Sequence, residues 1–260
     1  MTGEPIIQVD KVAQRFGDRT IFRDVSLRVY PREVFVILGG SGSGKSTLLK
    51  QLIGLLTPSA GHIALFGRDI TGPGGEKALD DVQRRIGVMF QSGALFGSMT
   101  LLENVMLPLE MFTDLPPEGR EAIARVKLGL VGLGDAAALM PAEISGGMAR
   151  RAGIARAMAL DPPLLLLDEP SAGLDPITSA GLDRLILDLR QDLGATFVVV
   201  THELASILTI ADRCIMLDHA AYPDAGGVIA EGEPHALRDT STNPRVRAFF
   251  RRELPEPAAA

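Results

Sequence analysis

The feature that most constrains this chain is an eight-residue run, Gly39-Gly40-Ser41-Gly42-Ser43-Gly44-Lys45-Ser46, which fits the pattern G-x-x-x-x-G-K-[ST]. It directly follows the apolar run 34–38 and precedes a segment, 44–56, whose leucines recur at helical spacing. A strand that enters a helix through such a loop is the structural context that the motif requires. Its glycines let successive backbone N–H groups turn towards a phosphate, and the start of the helix adds a favourable dipole. The sequence therefore predicts a phosphate-binding loop.

Individual residues of this loop can be matched to the groups they would hold. Lys45 is placed to reach the terminal phosphates of a nucleotide, and Ser46 offers a hydroxyl to Mg²⁺. A flexible Gly/Ser linker is the alternative, but a linker does not usually carry a lysine and a serine at this spacing between a strand and a helix. The residues predicted to contact the nucleotide here are Gly39, Ser41, Gly42, Gly44, Lys45, Ser46 and Thr47.

A second candidate site follows the apolar run 164–167, where Asp168 and Glu169 are adjacent. The carboxyl ends of parallel strands form the edge of an open α/β sheet at which ligands bind. Asp168 suits the outer coordination of Mg²⁺, and Glu169 is placed to orient or deprotonate an attacking water. Two acids after a strand could instead cap the next helix. The phosphate loop elsewhere in the chain favours the catalytic interpretation.

The distribution of apolar runs predicts the fold class. Residues 6–38 hold three β-branched runs separated by turn residues, which predicts a small antiparallel sheet. After residue 163, short and fully apolar strands alternate with helical patterns, which is typical of a buried parallel sheet. The sequence therefore predicts an α/β fold: a phosphate-loop NTPase core with a mostly parallel sheet and an N-terminal antiparallel β subdomain.

The middle of the chain has a different pattern. Between residues 91 and 145, helical patterns are broken by Gly and Pro, and Thr100 with Glu103 reads as a capping box. This pattern predicts an inserted α-helical subdomain. The chain is accordingly predicted to be one domain over 1–243, with a nucleotide-binding core at 1–91 and 160–243, a helical subdomain at 92–159 and a C-terminal extension at 244–260.

Composition limits the kinds of partner. Lysine and arginine number 26 against 32 acidic residues, so the net charge of −6 provides no general attraction for nucleic acid or anionic lipid. With no tryptophan and 5% aromatic residues, a base-stacking surface is disfavoured, and no nucleic-acid partner is expected. The apolar runs are far shorter than a membrane span, the N-terminus does not resemble a secretory signal, and the single cysteine, Cys214, fits a reducing compartment. The cytoplasm is the expected location.

The run Ile144-Ser145-Gly146-Gly147-Met148 lies upstream of the two acids and leads into a helix rich in Arg and Ala. Together with the motifs above, it makes the chain resemble the ATP-binding subunits of ABC transporters over nearly its whole length. A single matching residue is not specific for the family, since a lone Phe is usually core and a lone His usually makes a local hydrogen bond. The resemblance assigns Ser145, Gly146 and Gly147 to the signature, Gln91 to the Q-loop, Asp175 to the D-loop, His202 to the switch histidine and Phe16 to the aromatic ring beside adenine.

The resemblance implies a homodimer in which ATP lies between the phosphate loop of one protomer and the signature of the other. Small residues at the start of a helix can present N–H groups and a hydroxyl to the γ-phosphate, which fits this arrangement. Hydrolysis would remove the ligand that joins the halves, and Gln91 would transmit the state of the site to the helical region. The implied catalytic residues are Glu169 and His202, and the implied ligands of Mg²⁺ are Ser46, Gln91 and Asp168.

Two positions depart from the usual family pattern: Met148 replaces Gln or Glu in the signature, and Arg32 replaces a glycine before the phosphate-loop strand. Segments 145–151, 90–96 and 244–249 together look like the ATPase subunits of Mla/Mce-type phospholipid transporters. That likeness implies ATP-driven phospholipid transport between bacterial membranes, which maintains the lipid asymmetry of the outer membrane. It also implies an integral-membrane permease, an Mce-domain lipid carrier and a STAS-domain protein as partners, and a peripheral location at the cytoplasmic face of the inner membrane.

Two other functions fit the same motifs. One is the ATPase subunit of a small-solute ABC importer or exporter, and the other is a soluble ABC protein that acts in assembly or DNA repair without a permease. Against DNA repair stands the absence of a long coiled-coil insertion from the sequence. The apolar stretch 93–96 could be a permease docking surface or ordinary core.

The C-terminal segment carries four arginines around Val246, Phe249 and Phe250, at spacings that place the apolar residues on one helical face. Such a helix could bind anionic lipid, bury its phenylalanines against a neighbouring subunit, or fray. The acidic Glu253 and Glu256 favour docking against a protein. The four arginines are Arg245, Arg247, Arg251 and Arg252.

Overall fold

The elements are taken from a computed structural model that describes residues 3–219, 221–222 and 224–253. Its strands are β1 (Ile7–Phe16), β2 (Arg19–Val29), β3 (Val34–Gly39), β4 (Ala60–Leu65), β5 (Arg68–Asp69), β6 (Ile86–Met89), β7 (Leu164–Asp168), β8 (Thr196–Val200), β9 (Arg213–Asp218) and β10 (Gly227–Gly232). Its α-helices are α1 (Lys45–Leu52), α2 (Gly75–Val82), α3 (Leu101–Phe112), α4 (Pro117–Leu130), α5 (Gly146–Ala157), α6 (Pro176–Leu193), α7 (Leu204–Ile210), α8 (Pro234–Thr240) and α9 (Pro244–Arg251). None of the helices in these residues is long and apolar enough to cross a membrane.

The strands form two sheets of different kinds. Four strands form an antiparallel sheet in the order β2-β1-β4-β5, and six form a second sheet in the order β10-β9-β3-β8-β7-β6. In the second sheet all neighbouring strands run parallel except β10, which pairs antiparallel with β9 at one edge. The predicted α/β class, with a mostly parallel sheet and an antiparallel β part, is confirmed.

One grouping predicted from the sequence is wrong. The run 34–38 does not join the antiparallel sheet; it forms β3 in the middle of the parallel sheet, between β9 and β8. All six residues of β3 are buried, whereas β1 alternates over much of its length between buried and more exposed positions. A strand covered on both faces needs an unbroken apolar run, so the continuity of 34–38 was the signal of a parallel sheet.

The parallel sheet separates two apolar cores, and β3 contributes to both. Val34, Val36 and Leu38 belong to the core that contains side chains of α3, α4, α5 and α6. Phe35 and Ile37 belong to the core beneath the antiparallel sheet, together with side chains of α1. This alternation follows from strand geometry, because successive side chains point to opposite faces of a sheet.

The helical region contains α3, α4 and α5. The predicted capping box is present: the Glu103 N–H donates to Oγ1 of Thr100 at 3.2 Å, and the Thr100 N–H donates to Oε2 of Glu103 at 2.7 Å. This reciprocal pair starts α3 at Leu101. The helices share one core with the parallel sheet, and the subdomain bounds 92–159 stay a prediction.

The C-terminal helix α9 packs on its own chain. Val246 is fully buried and Phe250 is 5% exposed, and both join the core that contains α5 and α6. Nη1 of Arg245 pairs with Oδ1 of Asp218 at 3.1 Å, at the end of β9. The prediction that this segment buries both phenylalanines against a neighbouring subunit is wrong for Phe250, because the core of the same chain covers it. Glu256 and the Pro- and Ala-rich end lie outside the described residues.

Candidate functional site

The phosphate loop joins β3 to α1 at the edge where the parallel strands end. Gly44 occupies the N-cap of α1 with a φ of 96°, and a Cβ there would lie 2.6 Å from Cδ1 of Phe22. Only glycine therefore allows the helix to begin at this point. Inside the loop, Nζ of Lys45 donates hydrogen bonds to the carbonyls of Gly39 at 2.9 Å and Gly40 at 3.1 Å. The loop thus folds around the lysine ammonium.

The Lys45 ammonium is buried while much of the loop around it is open. The residue is 9% exposed, and burial lowers the pKa of its ammonium, an effect that the carboxylates of Glu169 and Asp168 oppose. A buried cation whose hydrogen-bond partners are carbonyls is suited to receive an anion from the open side. The exposed loop positions are Gly40, Ser41, Gly42 and Ser46, and Thr47 is half-buried in the first turn of α1.

Asp168 and Glu169 lie at the same sheet edge, at the end of β7. Oδ1 of Asp168 and Oε2 of Glu169 are buried and have no hydrogen-bond partner. Burial, and then the charge of Glu169, raises the pKa of the Asp168 carboxyl, while Lys45 lowers it. Buried carboxylate oxygens without partners are costly, so both oxygens fit a site that receives a cation or a hydrogen-bonding ligand.

Glu169 also contacts His202, which follows β8. Oε1 of Glu169 lies 2.9 Å from Nδ1 of His202. The backbone of Glu169 has a φ of 48°, and its N–H donates to the carbonyl of Val200 at 2.8 Å. A left-handed backbone is uncommon for a residue other than glycine and is found preferentially at functional sites. The structure therefore brings together Lys45, Asp168, Glu169 and His202.

The signature turn begins α5. Oγ of Ser145 accepts a hydrogen bond from the Met148 N–H at 3.2 Å, and this bond caps the helix. Asp175 caps α6 in the same way, since it accepts from the N–H groups of Ile177 and Thr178 at 3.0 Å each. Ser145, Ile177 and Thr178 line one open cavity of about 480 Å³. A hydroxyl that accepts one hydrogen bond can still donate another, so Ser145 can donate to a ligand in that cavity.

Other predicted site residues form no hydrogen bond or ion pair with the Lys45 cluster in the part of the chain that the structure describes. Phe16, at the end of β1, is 51% exposed, and Gln91, after β6, is also exposed. Among the described residues, no hydrogen bond or ion pair joins the 145–147 turn to Lys45. Within a single chain, the two halves of the predicted nucleotide site therefore share no polar contact.

Two arginines of α5 support the site and were missed by the sequence analysis. Nη2 of Arg150 donates to the carbonyl of Ala172 at 3.1 Å, in the segment that leads to α6. Arg156 donates to the carbonyls of Gly93 and Ala94 at 2.9 Å each, in the loop after β6. The signal available in the sequence is an arginine within a helix of small residues. Small neighbours leave room for a guanidinium on the face of the helix that packs against the rest of the chain.

These features define a class of protein. A phosphate loop after a central parallel strand, a carboxylate pair two strands away and a capped signature turn in a helical region are those of a phosphate-loop ATPase of the ATP-binding cassette type. The sequence profile of the family described as ABC transporter matches residues 22–172. The chain belongs to the ABC transporter family.

Two named relatives cover most of this chain. The chain is 41% identical over 245 residues to the intermembrane phospholipid transport system ATP-binding protein MlaF of Escherichia coli K12, covering 94% of this chain and 88% of MlaF. It is 42% identical over 244 residues to the probable ribonucleotide transport ATP-binding protein mkl of Mycobacterium tuberculosis H37Rv. That match covers 94% of this chain but 66% of mkl, so the chain spans slightly less than two thirds of the mycobacterial protein.

Solved structures show the same fold. A dimeric post-hydrolysis state of an ATP-binding cassette bound to ADP and Pi matches with a TM-score of 0.76 and 31% identity, covering 87% of this chain and 98% of that one. The cbiO1 protein of Clostridium perfringens, part of the ABC transporter complex cbiONQ, matches with a TM-score of 0.79 and 26% identity, covering 89% and 90%. The ABC ATPase fold and the ATP-binding class predicted from the sequence are confirmed.

Proposed function

We propose that the chain is the ATP-hydrolysing subunit of a transporter that moves phospholipid between bacterial membranes and so maintains the lipid asymmetry of the outer membrane. The observation that carries this proposal is the 41% identity to MlaF, by its name a phospholipid transport ATP-binding protein, over 88% of MlaF's length. Such a match includes both the nucleotide core and the helical region where a partner would bind. In this proposal the chain supplies the energy for transport, and its partners hold the lipid.

The phosphate loop holds the phosphates of ATP. The Lys45 ammonium exchanges the Gly39 and Gly40 carbonyls for terminal phosphate oxygens, and the N–H groups at the start of α1 stabilise the phosphate charge. The half-exposed ring of Phe16 offers a stacking surface for adenine. The other proposed nucleotide contacts are Ser41, Gly42, Gly44, Ser46 and Thr47 of the phosphate loop and its first helical turn.

The residues present also fit a magnesium ion. The proposed ligands, Ser46, Gln91 and Asp168, each offer an oxygen atom, the donor type that Mg²⁺ prefers. The partnerless, buried Oδ1 of Asp168 supports this assignment, because a cation would satisfy it. When bound, the ion would neutralise charge on the phosphates.

Glu169 is the proposed base for hydrolysis. Its Oε1 is held by His202, whereas its buried Oε2 has no partner. One oxygen is thus fixed, and the other can orient or deprotonate the attacking water. His202 keeps the carboxylate in this orientation and, as the switch residue, lies where it can respond to the γ-phosphate.

The two halves of the site are supplied by different protomers of a homodimer. Ser145, Gly146 and Gly147 of one chain complete the site formed around Lys45 of the other, and Asp175 lies beside this junction. The absence of polar contacts between the 145–147 turn and Lys45 within the described part of one chain supports this division. ATP then holds the dimer together, and hydrolysis releases it.

The Ser145→Arg variant tests the divided site. A bulky side chain at the partner's γ-phosphate should leave ATP binding at the variant's own Lys45 loop but abolish turnover. Mixed with Lys45→Ala chains, it should regain roughly a quarter of wild-type ATPase activity, because random pairing makes half of the dimers heterodimers with one intact site of two. Normal hydrolysis by the Ser145→Arg homodimer would exclude the signature role. Ser98→Arg, at an exposed position before α3, is the matched control.

An apolar groove between the core and the helical region is the proposed docking surface for the permease. Phe96 is 51% exposed and Met111 is 66% exposed, which is a large apolar area for one small region of surface. Of the stretch 93–96, Leu95 packs against the core. The groove has a volume of about 500 Å³, and its lining includes Phe90, Ala94, Phe96, Met111, Phe112 and Arg156.

The same proposal assigns the other partners and the location. The Mla/Mce-type resemblance supports an inner-membrane permease, an Mce-domain lipid carrier and a STAS-domain protein as the remaining subunits. The chain would be peripheral, bound to the permease at the cytoplasmic face of the inner membrane. The similarity to MlaF, named for an intermembrane phospholipid transport system, supports this placement.

Purification from detergent-solubilised membranes tests the proposal. The tagged chain should retain a multi-span membrane protein, identified by mass spectrometry, and glycerophospholipid enriched over the bulk membrane. Phe96→Asp should lose both, since a carboxylate in the apolar groove would be desolvated on docking. Leu55→Asp, which alters a still more exposed apolar residue after α1, should retain both. Retention of the membrane protein without phospholipid would contradict the lipid assignment.

Ribonucleotide transport is the second candidate, because mkl carries that name and is 42% identical to the chain. The match covers 66% of mkl but 88% of MlaF, and this difference favours phospholipid as the transported substrate. Ribonucleotide in place of phospholipid in the purified complex would reverse that order. A chain that retains no membrane protein at all would support the soluble ABC protein.

A further inference from the structure

The loop after β6 contains three consecutive residues with a left-handed backbone. Ser92, Gly93 and Ala94 have φ angles of 67°, 77° and 46°. The Gly93 N–H donates to the Phe90 carbonyl at 2.9 Å, so a tight turn forms with Gln91 and Ser92 at its centre. Serine and alanine rarely adopt this conformation, because their Cβ atoms crowd the backbone. Contacts from outside the loop must therefore stabilise it.

Helix α5 supplies those contacts. Nη1 of Arg156 donates to the carbonyl of Ala94 and Nη2 to that of Gly93, both at 2.9 Å. A Cβ at Gly153 would lie 2.9 Å from Cα of Gly93, and a Cβ at Gly93 would lie 2.5 Å from the carbonyl oxygen of Ala149. Helix positions 149, 153 and 156 share one face, so a single stripe of α5 holds the loop.

Arg156 is bound to backbone and not to an acid. Among the described residues, its contacts are the two carbonyls and the ring of Phe96, whose centroid lies 5.9 Å from the guanidinium carbon. Burial lowers the pKa of this arginine, but a guanidinium stays charged at neutral pH. Two parallel N–H donors on neighbouring carbonyls fix the direction of a backbone segment more strictly than one donor would.

We infer that Arg156 is a positioning residue for the ATPase reaction: it orients Gln91 by holding the carbonyls of Gly93 and Ala94, at the end of the turn that contains Gln91. This inference rests on the proposed function, in which Gln91 contacts Mg²⁺. Ser145 stands at the other end of α5, so one helix carries both the signature and the contact with the Gln91 loop.

A double-mutant cycle on the full chain tests the inference. Arg156→Met keeps most of the length and removes the donors, so kcat should fall about tenfold while KM for ATP changes less than about twofold. In a Gln91→Ala background the same substitution should have almost no effect on kcat, because the Gln91 side chain that Arg156 would orient is already absent. Arg156→Lys, which keeps the charge and one donor, should recover part of the kcat. Equal loss of kcat in both backgrounds overturns the inference.

Hydrogen exchange provides a readout that does not depend on activity. Amides of residues 90–96 should exchange faster in Arg156→Met than in wild type, and the exchange rates of the amides in α3 and α4 should not change. Arg125→Met is the control, since that arginine pairs with Glu121 on the surface of α4. Unchanged exchange at 90–96 overturns the inference. Turnover that is insensitive to Glu169→Gln would count against the proposed function instead, and the exchange result would still decide whether Arg156 holds the loop.

Discussion

Replacing Glu169 with glutamine is expected to abolish ATP turnover while ATP binding stays intact. The amide keeps the size of the side chain but cannot accept a proton, so a general-base contribution of about 100- to 10,000-fold in rate is lost. Because hydrolysis no longer removes the ligand between the protomers, Mg-ATP should trap the dimer. Steady-state phosphate release measures the first effect, and light scattering with Mg-ATP measures the second.

The control for this variant is Glu118→Gln, which makes the same chemical change at an exposed position in the first turn of α4. Its turnover and its dimer fraction should match those of the wild type. Turnover by Glu169→Gln within about twofold of wild type would remove Glu169 from its proposed role. A variant that stays monomeric with Mg-ATP would contradict the ATP-bound dimer.

Replacing Lys45 with alanine is expected to weaken ATP binding and turnover together. The phosphates would lose a buried ammonium, and truncation of one partner in such a charge pair costs about 2–5 kcal/mol, which is roughly 30- to several-thousand-fold in affinity. The fold should survive, because alanine favours a helix. Titration with a fluorescent ATP analogue measures affinity, and circular dichroism measures the fold.

Lys50→Ala is the matched control, since Lys50 is an exposed lysine on the same helix, α1. It should bind ATP as the wild type does. Wild-type affinity in Lys45→Ala would show that the run 39–46 is not the phosphate site. An unfolded Lys45→Ala protein would instead show that the lysine is needed for the loop's own hydrogen bonds.

The motifs could be located from the sequence because each is a local pattern whose residue spacing has a physical cause. Within each motif, the residues lie only a few positions apart. This holds for the glycines and lysine of the phosphate loop, for the capping box of Thr100 and Glu103, and for the two acids after a buried strand. Local spacing fixes which groups share a turn or a helix start. The predicted runs 34–38, 44–56 and 164–167 lie within a few residues of β3, α1 and β7.

Strand pairing and burial could not be predicted in the same way, because they depend on residues far apart in the chain. β3 pairs with β8 and β9, more than 150 residues later, and no local property of 34–38 names those partners. Phe250 was expected to meet a neighbouring subunit, yet the core of its own chain covers it. The role of Arg156 could not be predicted from the sequence for the same reason, since the carbonyls that it binds lie some 60 residues earlier in the chain.

The central strand β3 has a consequence for how this protein loses its structure. Its side chains alternate between the two cores, and the phosphate loop is the direct continuation of its backbone. Unfolding of either core would expose buried side chains of β3, so we expect the two halves of the sheet to unfold cooperatively. We therefore expect the strand that anchors the phosphate loop to be lost only in the global unfolding transition.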